Sequence, residues 1–138
     1  PDKTAIILDE RQLSYAELER AVCGVAASLR ARGIGPGDSV ALLVPNVPEF
    51  TIAYFGILYA GAVVVPINVL AAAPEVAYFL DDSSAKLLIV HPLFEAPGKQ
   101  GADEQSVPVI VAGGAGGPHS AYLPGWGSRM VTEKIQEA

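Results

Sequence analysis

One stretch of the chain, residues 50–74, contains no charged side chain and constrains the fold more than any other feature. It is long enough to cross a bilayer as one helix, for which about 20 mostly apolar residues suffice. It also contains Gly56, Gly61 and Pro66, which a continuous helix would have to accommodate. Two interpretations follow: a membrane-spanning helix, or two buried elements of a layered domain joined at Gly61.

The residues around Gly61 favour the second interpretation. Asn46 can cap a helix, and Pro48 suits its first turn because no intrahelical partner exists there for the missing N–H. After Gly61 the segment AVVVP is β-branched and ends at a proline, which is harmless at a strand end. A short apolar run without polar alternation is typical of a buried parallel strand. The run is therefore predicted to be helix, glycine and buried strand.

Helix and strand signals alternate along the rest of the chain. The first residues predict two short strands folded about the polar segment 9–11. Ser14 and Glu17 then form a capping-box pattern, which begins an amphipathic helix that runs to Gly33. Further strands are predicted at 39–44, 62–66, 86–90 and 107–112, and a further helix at 74–82 with Val76, Phe79 and Leu80 on its apolar side.

Four buried-type strands separated by helical segments indicate an α/β fold, with a mostly parallel sheet covered by helices on both faces and an N-terminal β-hairpin. The connection at 91–106 lacks a helical pattern and is predicted to be a mobile, solvated loop. Residues 1–112 are therefore predicted to form one α/β subdomain. Residues 113–138 open with GGAGGP and are predicted to be a glycine-rich linker and a divergent tail.

The charge balance argues against partners that require a basic surface. The chain has 9 basic and 15 acidic residues, a net charge of −6 and no basic cluster. Nucleic acids and anionic lipid surfaces are therefore not expected partners. A single cysteine, Cys23, cannot form an internal disulfide, which suits a cytoplasmic location. The chain lacks a secretory signal and an initiator methionine, so it is expected to begin inside a longer gene product.

No residue is assigned a catalytic, cofactor-binding or metal-binding role from the sequence. Cys23 lies in a predicted helix and is expected to face packed neighbours as a structural cysteine. His91 follows a predicted strand, at the side of an α/β sheet where ligands commonly bind, so a ligand-binding role competes with that of a solvated loop histidine. The acidic pairs at 9–10 and 81–82 are expected to diverge on the surface rather than to hold a metal.

Three remaining polar signals predict no chemistry. His119 lies in the glycine-rich linker. Asp38 follows GPG and is predicted to end a turn before a strand. GGAGGP is not followed by a lysine, by a hydroxyl placed for a metal or by a convincing helix, so it does not meet the requirements of a phosphate-cradling loop.

Four motifs occur in order between residues 13 and 90: LSYAEL, GIGPGDSVALLVPN, the block from PEF to YAGAVVVPIN, and FLDDSSAKLL. Their order and spacing resemble the N-terminal region of AMP-forming acyl-CoA synthetases, such as the long-chain fatty-acid-CoA ligases, in the adenylate-forming superfamily. The resemblance implies a two-step reaction in which a carboxylate attacks ATP to form an acyl-adenylate and a thiol, usually that of CoA, displaces AMP. ATP, magnesium and CoA are the implied cofactors of the complete enzyme.

The resemblance also implies which parts this chain lacks. The family's phosphate loop of the form T-S-G-T-T-G-x-P-K-G, its adenine- and metal-binding motifs and its C-terminal domain with the catalytic lysine do not occur in these residues. Without them adenylation has no source of transition-state stabilisation. Family members often carry a basic residue after the Pro-x-Asn block, but here Asn68 is followed by Val69 and Leu70. No cofactor is therefore expected to bind this chain alone.

Three functional hypotheses remain open. The chain is the N-terminal fragment of an acid-CoA ligase, which contributes scaffold and a wall of the substrate site and is inactive alone. Alternatively, it is a free-standing, non-catalytic binding or interaction domain derived from such a ligase, or residues 50–74 insert into a membrane. If the chain is a fragment, the apolar surface that it buries against the rest of the enzyme is exposed to water, at a cost of about 25 cal/mol per Å². The expected partner for this surface is therefore the remainder of the synthetase or a second copy of the chain in a homodimer.

Overall fold

The computed structural model describes residues 4–8 and 11–112, with side chains described from Ser14 onward. The sequence predictions for residues 9–10 and 113–138 lie outside these segments. A 3-10 turn, Pro92–Phe94, precedes the last helix. In chain order the elements are β1 (Thr4–Leu8), β2 (Arg11–Ser14), α1 (Tyr15–Ala31), β3 (Ser39–Leu43), α2 (Pro48–Tyr59), β4 (Val63–Pro66), α3 (Ala73–Ser83), β5 (Ala85–Val90), α4 (Glu95–Glu104) and β6 (Val109–Val111).

Four parallel strands form a sheet in the order β4-β3-β5-β6, and β1 and β2 form a separate antiparallel hairpin. Successive residues of a strand point to opposite faces. Leu42 and Ile89 therefore pack under α1 and α2 on one face, whereas Leu43 and Leu88 pack under α3 and α4 on the other. This confirms the predicted fold class of a parallel sheet covered on both faces, with an N-terminal hairpin.

Local sequence explains where α1 begins and where α1 and α2 end. The Ser14 hydroxyl accepts the Glu17 N–H at 3.1 Å and the Glu17 carboxylate accepts the Ser14 N–H at 2.9 Å, which confirms the capping box. Gly33 and Gly61 follow the two helix ends with φ of 87° and 85°. Each donates its N–H to the carbonyl three residues earlier at 2.9 Å. Only glycine adopts this left-handed conformation readily, so it determines both ends.

Helix α2 begins at Pro48 as predicted, but the prediction that Asn46 caps it is wrong. The N-cap is Val47, with φ −127° and ψ 168°, and it makes no side-chain cap bond. The ring of a proline disfavours the helical conformation in the residue before it. Pro48 therefore holds Val47 extended and makes it the last residue before the helix.

The charge-free run divides into α2, Gly61 and β4. Within the residues that the structure describes, no helix combines the length and the apolar character needed to cross a membrane. The predicted burial of β4 is wrong, because this strand lies at an edge of the sheet and Val63 is 52% exposed. β4 pairs with β3 along one side, and no described strand covers its other side.

Helix α3 confirms the predicted helix at 74–82, although its apolar side differs from the prediction. Val76, Ala77 and Leu80 are buried, whereas Phe79 is 38% exposed. The buried side of α3 faces α4 and the sheet, and Phe79 lies beside that contact rather than within it. On the buried side of α3, Ala77 therefore packs where the hydrophobic pattern predicts Phe79.

The prediction of a solvated loop at 91–106 is wrong, because this segment folds into the 3-10 turn and α4. The buried residues of α4 are Gly98, Gly101 and Ala102. A Cβ atom built on Gly101 would lie 2.8 Å from the carbonyl oxygen of Ala73, so α4 approaches the backbone of α3 closely. Residues this small leave no apolar stripe in the sequence, and glycine favours the prediction of a loop.

Candidate functional site

The carboxyl ends of the parallel strands meet at one edge of the sheet, here called the carboxyl edge. Ligands of open α/β sheets commonly bind at such an edge. His91 follows β5 directly, and its backbone N–H donates to the backbone carbonyl of Leu43 at the end of β3, at 3.0 Å. Glu49 lies in the first turn of α2 after β3, and Asn68 follows β4. The crossover topology therefore places three polar residues at the carboxyl edge.

His91 is half-buried and shapes the turn that follows β5. Its Nδ1 accepts the N–H of Leu93 at 3.1 Å, and its ring centroid lies 6.3 Å from that of Phe94. This hydrogen bond holds the imidazole ring against the backbone of the turn. His91 lies at the edge of the sheet where ligands of α/β folds commonly bind, and its contact with Leu93 fixes the turn there.

Glu49 is 3% exposed, although carboxylates are seldom this deeply buried. Its place in the first turn of α2 puts it near the positive end of the helix dipole, which stabilises an anion. The sequence analysis missed this residue, because an acid directly after Pro48 is an ordinary feature of a helix start. Its burial depends on the packing of α2 against the sheet.

Asn68 organises the turn after β4. Its side-chain Oδ1 accepts the Leu70 N–H at 2.8 Å, and its carbonyl accepts the Ala71 N–H at 2.9 Å. Leu70 is 85% exposed at the place where the family resemblance implies a basic residue. Side chains of this turn therefore do not suit the phosphates of CoA.

The described residues do not suit a magnesium ion either. In this part of the chain no three His, Cys, Asp or Glu side chains form a group that could hold a metal. Asp81 and Asp82 are both exposed, as predicted. Asp38 accepts the Gly35 N–H at 2.9 Å and donates its own N–H to the Gly35 carbonyl at 3.0 Å, which confirms its role in the turn before β3.

The prediction that Cys23 faces packed neighbours is wrong, because its side chain is exposed. The buried stripe of α1 contains Val22, Val25, Ala26 and Leu29, which recur three and four residues apart. Cys23 follows Val22 by one residue, which turns it by about 100° about the helix axis and out of the stripe.

Two clefts lie away from the carboxyl edge, and the sequence analysis missed both. An apolar groove of about 490 Å³ runs between α1 and α2 and is lined by Tyr15, Leu18, Glu19, Val22, Phe55 and Tyr59. A second cleft, of about 310 Å³, lies where the parallel strands begin, at the end of the sheet opposite the carboxyl edge. Each cleft joins residues from different elements, so neither leaves a contiguous signal in the sequence.

The profile of the AMP-binding enzyme family matches residues 1–125. The chain belongs to this family. A 3-hydroxybenzoate-CoA/4-hydroxybenzoate-CoA ligase of Thauera aromatica is 37% identical over 123 residues, which cover 88% of this chain and 24% of the relative. The long-chain-fatty-acid-CoA ligase FadD13 of Mycobacterium tuberculosis is 37% identical over 128 residues, which cover 92% of this chain and 23% of the relative.

The same relationship holds in three dimensions. The crystal structure of the anthranilate CoA ligase AuaEII in complex with anthranoyl-AMP matches 99% of this chain and 24% of that protein, with a TM-score of 0.79 and 26% sequence identity. These matches confirm the resemblance to acyl-CoA synthetases predicted from the four motifs. The chain spans about a quarter of the length of the relatives it matches.

Proposed function

We propose that this chain forms the N-terminal sheet layer of an AMP-forming acid-CoA ligase, where it contributes scaffold and a wall of the substrate site. The observation that carries the proposal is the likeness of 99% of the chain to part of a CoA ligase solved with an acyl-adenylate. In the complete reaction a carboxylate oxygen attacks the α-phosphorus of ATP and pyrophosphate leaves. The thiol sulfur of CoA then attacks the acyl carbon and AMP leaves.

The carboxyl edge is the part of this layer that we expect to face the substrate. His91 and Asn68 hold the turns after β5 and β4 through bonds to backbone N–H groups. Glu49 is buried at the start of α2 beside the same edge. We infer that all three are positioning residues, which keep the wall in one shape, and not catalytic residues.

We expect the chain to be inactive alone. Its sequence contains no phosphate loop, and its described residues form no group that could hold a metal. Adenylation needs donors and a cation to neutralise the charge that develops on the leaving pyrophosphate. Relatives named for hydroxybenzoates and for long-chain fatty acids are both 37% identical to this chain. The proposed substrate of the complete enzyme is therefore a carboxylic acid, and no particular acid is proposed.

Two preparations test these statements separately. The first is the 138-residue chain, mixed with ATP, magnesium, a range of carboxylates and CoA; we expect no AMP above background. The second is the Thauera aromatica ligase with its matching region replaced by residues 1–125 of this chain; we expect hydroxybenzoate-dependent release of AMP. Turnover by the chain alone would refute its inactivity, and a folded chimera that binds ATP without turning over would refute the scaffold role.

We propose that the remainder of the synthetase covers the exposed apolar side chains of this layer. Large exposed patches are rare on soluble monomers, so the isolated chain is expected to form a two-fold homodimer through the same surface. Sedimentation velocity should give a mass that rises toward twice that of the chain with concentration, and a monomer at high concentration would contradict this. Among the residues whose side chains are described, the exposed large apolar ones are Tyr15, Phe55, Leu58, Tyr59, Val63, Leu70, Tyr78, Phe79 and Leu93.

Cellular context distinguishes the ligase fragment from a free-standing binding domain derived from a ligase. The intact mass of the protein in its own cells, compared with the length of its gene, decides between them. A product several times longer than this chain is expected from the proposal. We also propose a cytoplasmic location, because the implied substrates are ATP and CoA and the exposed Cys23 requires no oxidising compartment.

A further inference from the structure

A cleft of about 310 Å³ lies at the amino end of the sheet, opposite the carboxyl edge, and the proposed function does not use it. It forms where α1 ends and where β3, β5 and β6 begin. It is here called the amino-end cleft. The residues that line it are Arg32, Gly33, Ile34, Asp38, Lys86 and Pro108.

Two cationic side chains of this lining have no acidic partner in the described part of the chain. One ion pair among the described residues joins Lys99 to Glu95 on α4. Neither Arg32 nor Lys86 forms an ion pair with a described acidic residue. The Nε of Arg32 is buried and meets no hydrogen-bond acceptor among the described residues. Buried donors are normally satisfied, so the half-buried Arg32 has one donor atom, its Nε, that no described residue accepts.

The other polar groups of the lining are already engaged. The N–H groups of Gly33 and Ile34 donate to carbonyls of α1 and close its last turn. The carboxylate of Asp38 accepts the Gly35 N–H at 2.9 Å, which holds it in the turn before β3. The side chains of the lining carry two positive charges and one negative charge, in a chain whose net charge is −6. The amino-end cleft is therefore a locally basic site on an acidic protein.

We propose that the amino-end cleft binds a small tetrahedral oxyanion of the phosphate type, with Arg32 and Lys86 as its donors. A guanidinium supplies a planar fork of donors that matches phosphate oxygens, and a lysine adds a mobile point charge. Ligand sites typically occupy about 300–1,000 Å³, and this cleft lies at the lower end of that range. The cleft is therefore large enough to admit phosphate or diphosphate.

Nuclear magnetic resonance of the ¹⁵N-labelled 138-residue chain tests the proposal directly. Sodium phosphate is added at constant ionic strength, with chloride as the balancing anion. We expect saturable shifts at the Arg32 side-chain N–H and at the backbone amides of Gly33 and Ile34. Sulfate and diphosphate should reproduce them, whereas acetate should not. Shifts that do not saturate, or that spread over all basic residues, would indicate an adventitious ion only and overturn the proposal.

Three charge-neutralising variants locate the binding. Arg32→Gln and Lys86→Gln should each weaken phosphate binding about tenfold, because each removes a charge-assisted contact. Arg30→Gln is the matched control, since Arg30 is exposed in the last turn of α1 and does not line the cleft; binding should change less than about twofold. Equal weakening by all three variants would indicate general electrostatics and overturn the proposal.

Lys86→Gln also decides the question if Arg32→Gln does not fold, because Lys86 is an exposed strand residue. Far-UV circular dichroism establishes that each variant is folded before the titration. Unchanged phosphate affinity in a folded Lys86→Gln protein would contradict the assignment of that residue as a donor.

Discussion

Two pairs of helices cover the two faces of the sheet, and they pack in different ways. α1 and α2 meet through an apolar stripe on α1, with one close approach where Gly56 of α2 lies against Val25. α4 instead presents glycines on both of its buried contacts, since Gly98 lies over Val90 of the sheet and Gly101 lies over Val76 of α3. Helices α1 and α2 therefore pack mainly through side chains. Helix α4 packs through glycines, so its backbone lies directly against its neighbours.

The difference explains why one pair of helices is evident from the sequence and the other is not. Apolar side chains that recur at helical spacing produce a periodic pattern. A helix that packs through glycine produces no such pattern, and glycine also lowers intrinsic helix propensity by about 1 kcal/mol relative to alanine. The stability of a glycine-packed helix then depends on the contacts of its buried face. A glycine-to-alanine change is therefore expected to destabilise α4 more than the contact between α1 and α2.

The largest expected effect comes from removing a core leucine on either face. Leu29 of α1 and Leu80 of α3 are 0% and 1% exposed. Leu29→Ala and Leu80→Ala should each lower the free energy of unfolding by about 2–5 kcal/mol, from lost transfer energy and the cavity left behind. Urea denaturation measures both, with the exposed Cys23→Ala as a control that should change by less than about 0.5 kcal/mol. A small loss for Leu80→Ala would mean that the α3/α4 face is not packed as described.

The next effect tests the glycine contacts themselves. A Cβ atom on Gly101 would lie 2.8 Å from the carbonyl oxygen of Ala73, and one on Gly56 would lie 2.6 Å from the Cβ of Val25. Each glycine-to-alanine change should cost about 1–3 kcal/mol despite the better helix propensity of alanine, and Gly101→Ala should cost at least as much, because a backbone atom cannot rotate away. Gly35→Ala is the control, since nothing lies within 4 Å of its Cβ position.

Thermal unfolding of these three variants provides the measurement. Stabilisation by Gly101→Ala would remove the distinction between the two helix pairs. It would indicate that α4 can move away from α3 without loss, and that its glycines are not required for the contact.

A smaller effect is expected at the start of α1, where the stabilising contact is local. Ser14→Ala removes one acceptor of the capping box and should cost about 1 kcal/mol. Glu17→Gln keeps a group that can accept the Ser14 N–H and should retain most of the stability. Thermal unfolding compares them, and an equal loss in both variants would show that the charge of Glu17 contributes as much as the capping bond of Ser14.

The smallest effect sharpens the comparison by testing the exposed side of α4. Lys99 and Glu95 lie four residues apart, with an N–O distance of 2.6 Å and side chains 52% and 37% exposed. Lys99→Gln should cost only about 0.3–0.5 kcal/mol at low salt. The difference from the parent chain should vanish in about 1 M NaCl, where the Debye length is about 3 Å. A cost above that of Gly101→Ala would show that surface charge, not glycine packing, holds α4.

Several elements are predictable from the sequence because their determinants are local. The capping box identifies the start of α1, and Gly33 and Gly61 mark helix ends whose positive φ angles the structure confirms. Pro48 suits the first turn of α2, although its effect on the preceding residue makes Val47 the cap instead of Asn46. In each of these places a few neighbouring residues decide the backbone conformation.

The errors about strand burial, about Phe79 and about α4 have a common cause, which is that burial depends on neighbours distant in the chain. Phe79 lies on a helix that the sequence predicts, yet it is exposed because the facing layer packs against other residues of that helix. Cys23 is different, because the spacing of the apolar stripe of α1 already places it outside that stripe. β4 has the composition of a buried strand and occupies an edge. The carboxyl edge could be predicted in part, since His91 follows a strand, but the burial of Glu49 could not.

The sequence by itself determined the order of helices and strands as far as β5, the division of the charge-free run at Gly61 and the likeness to acyl-CoA synthetases. Capping bonds, proline geometry and left-handed glycines act between near neighbours, so they can be predicted from the sequence. Only the tertiary structure decided that residues 95–104 form a helix, and that Arg32 and Lys86 share one cleft. Both depend on crossovers that bring distant segments together, and no local pattern records those contacts.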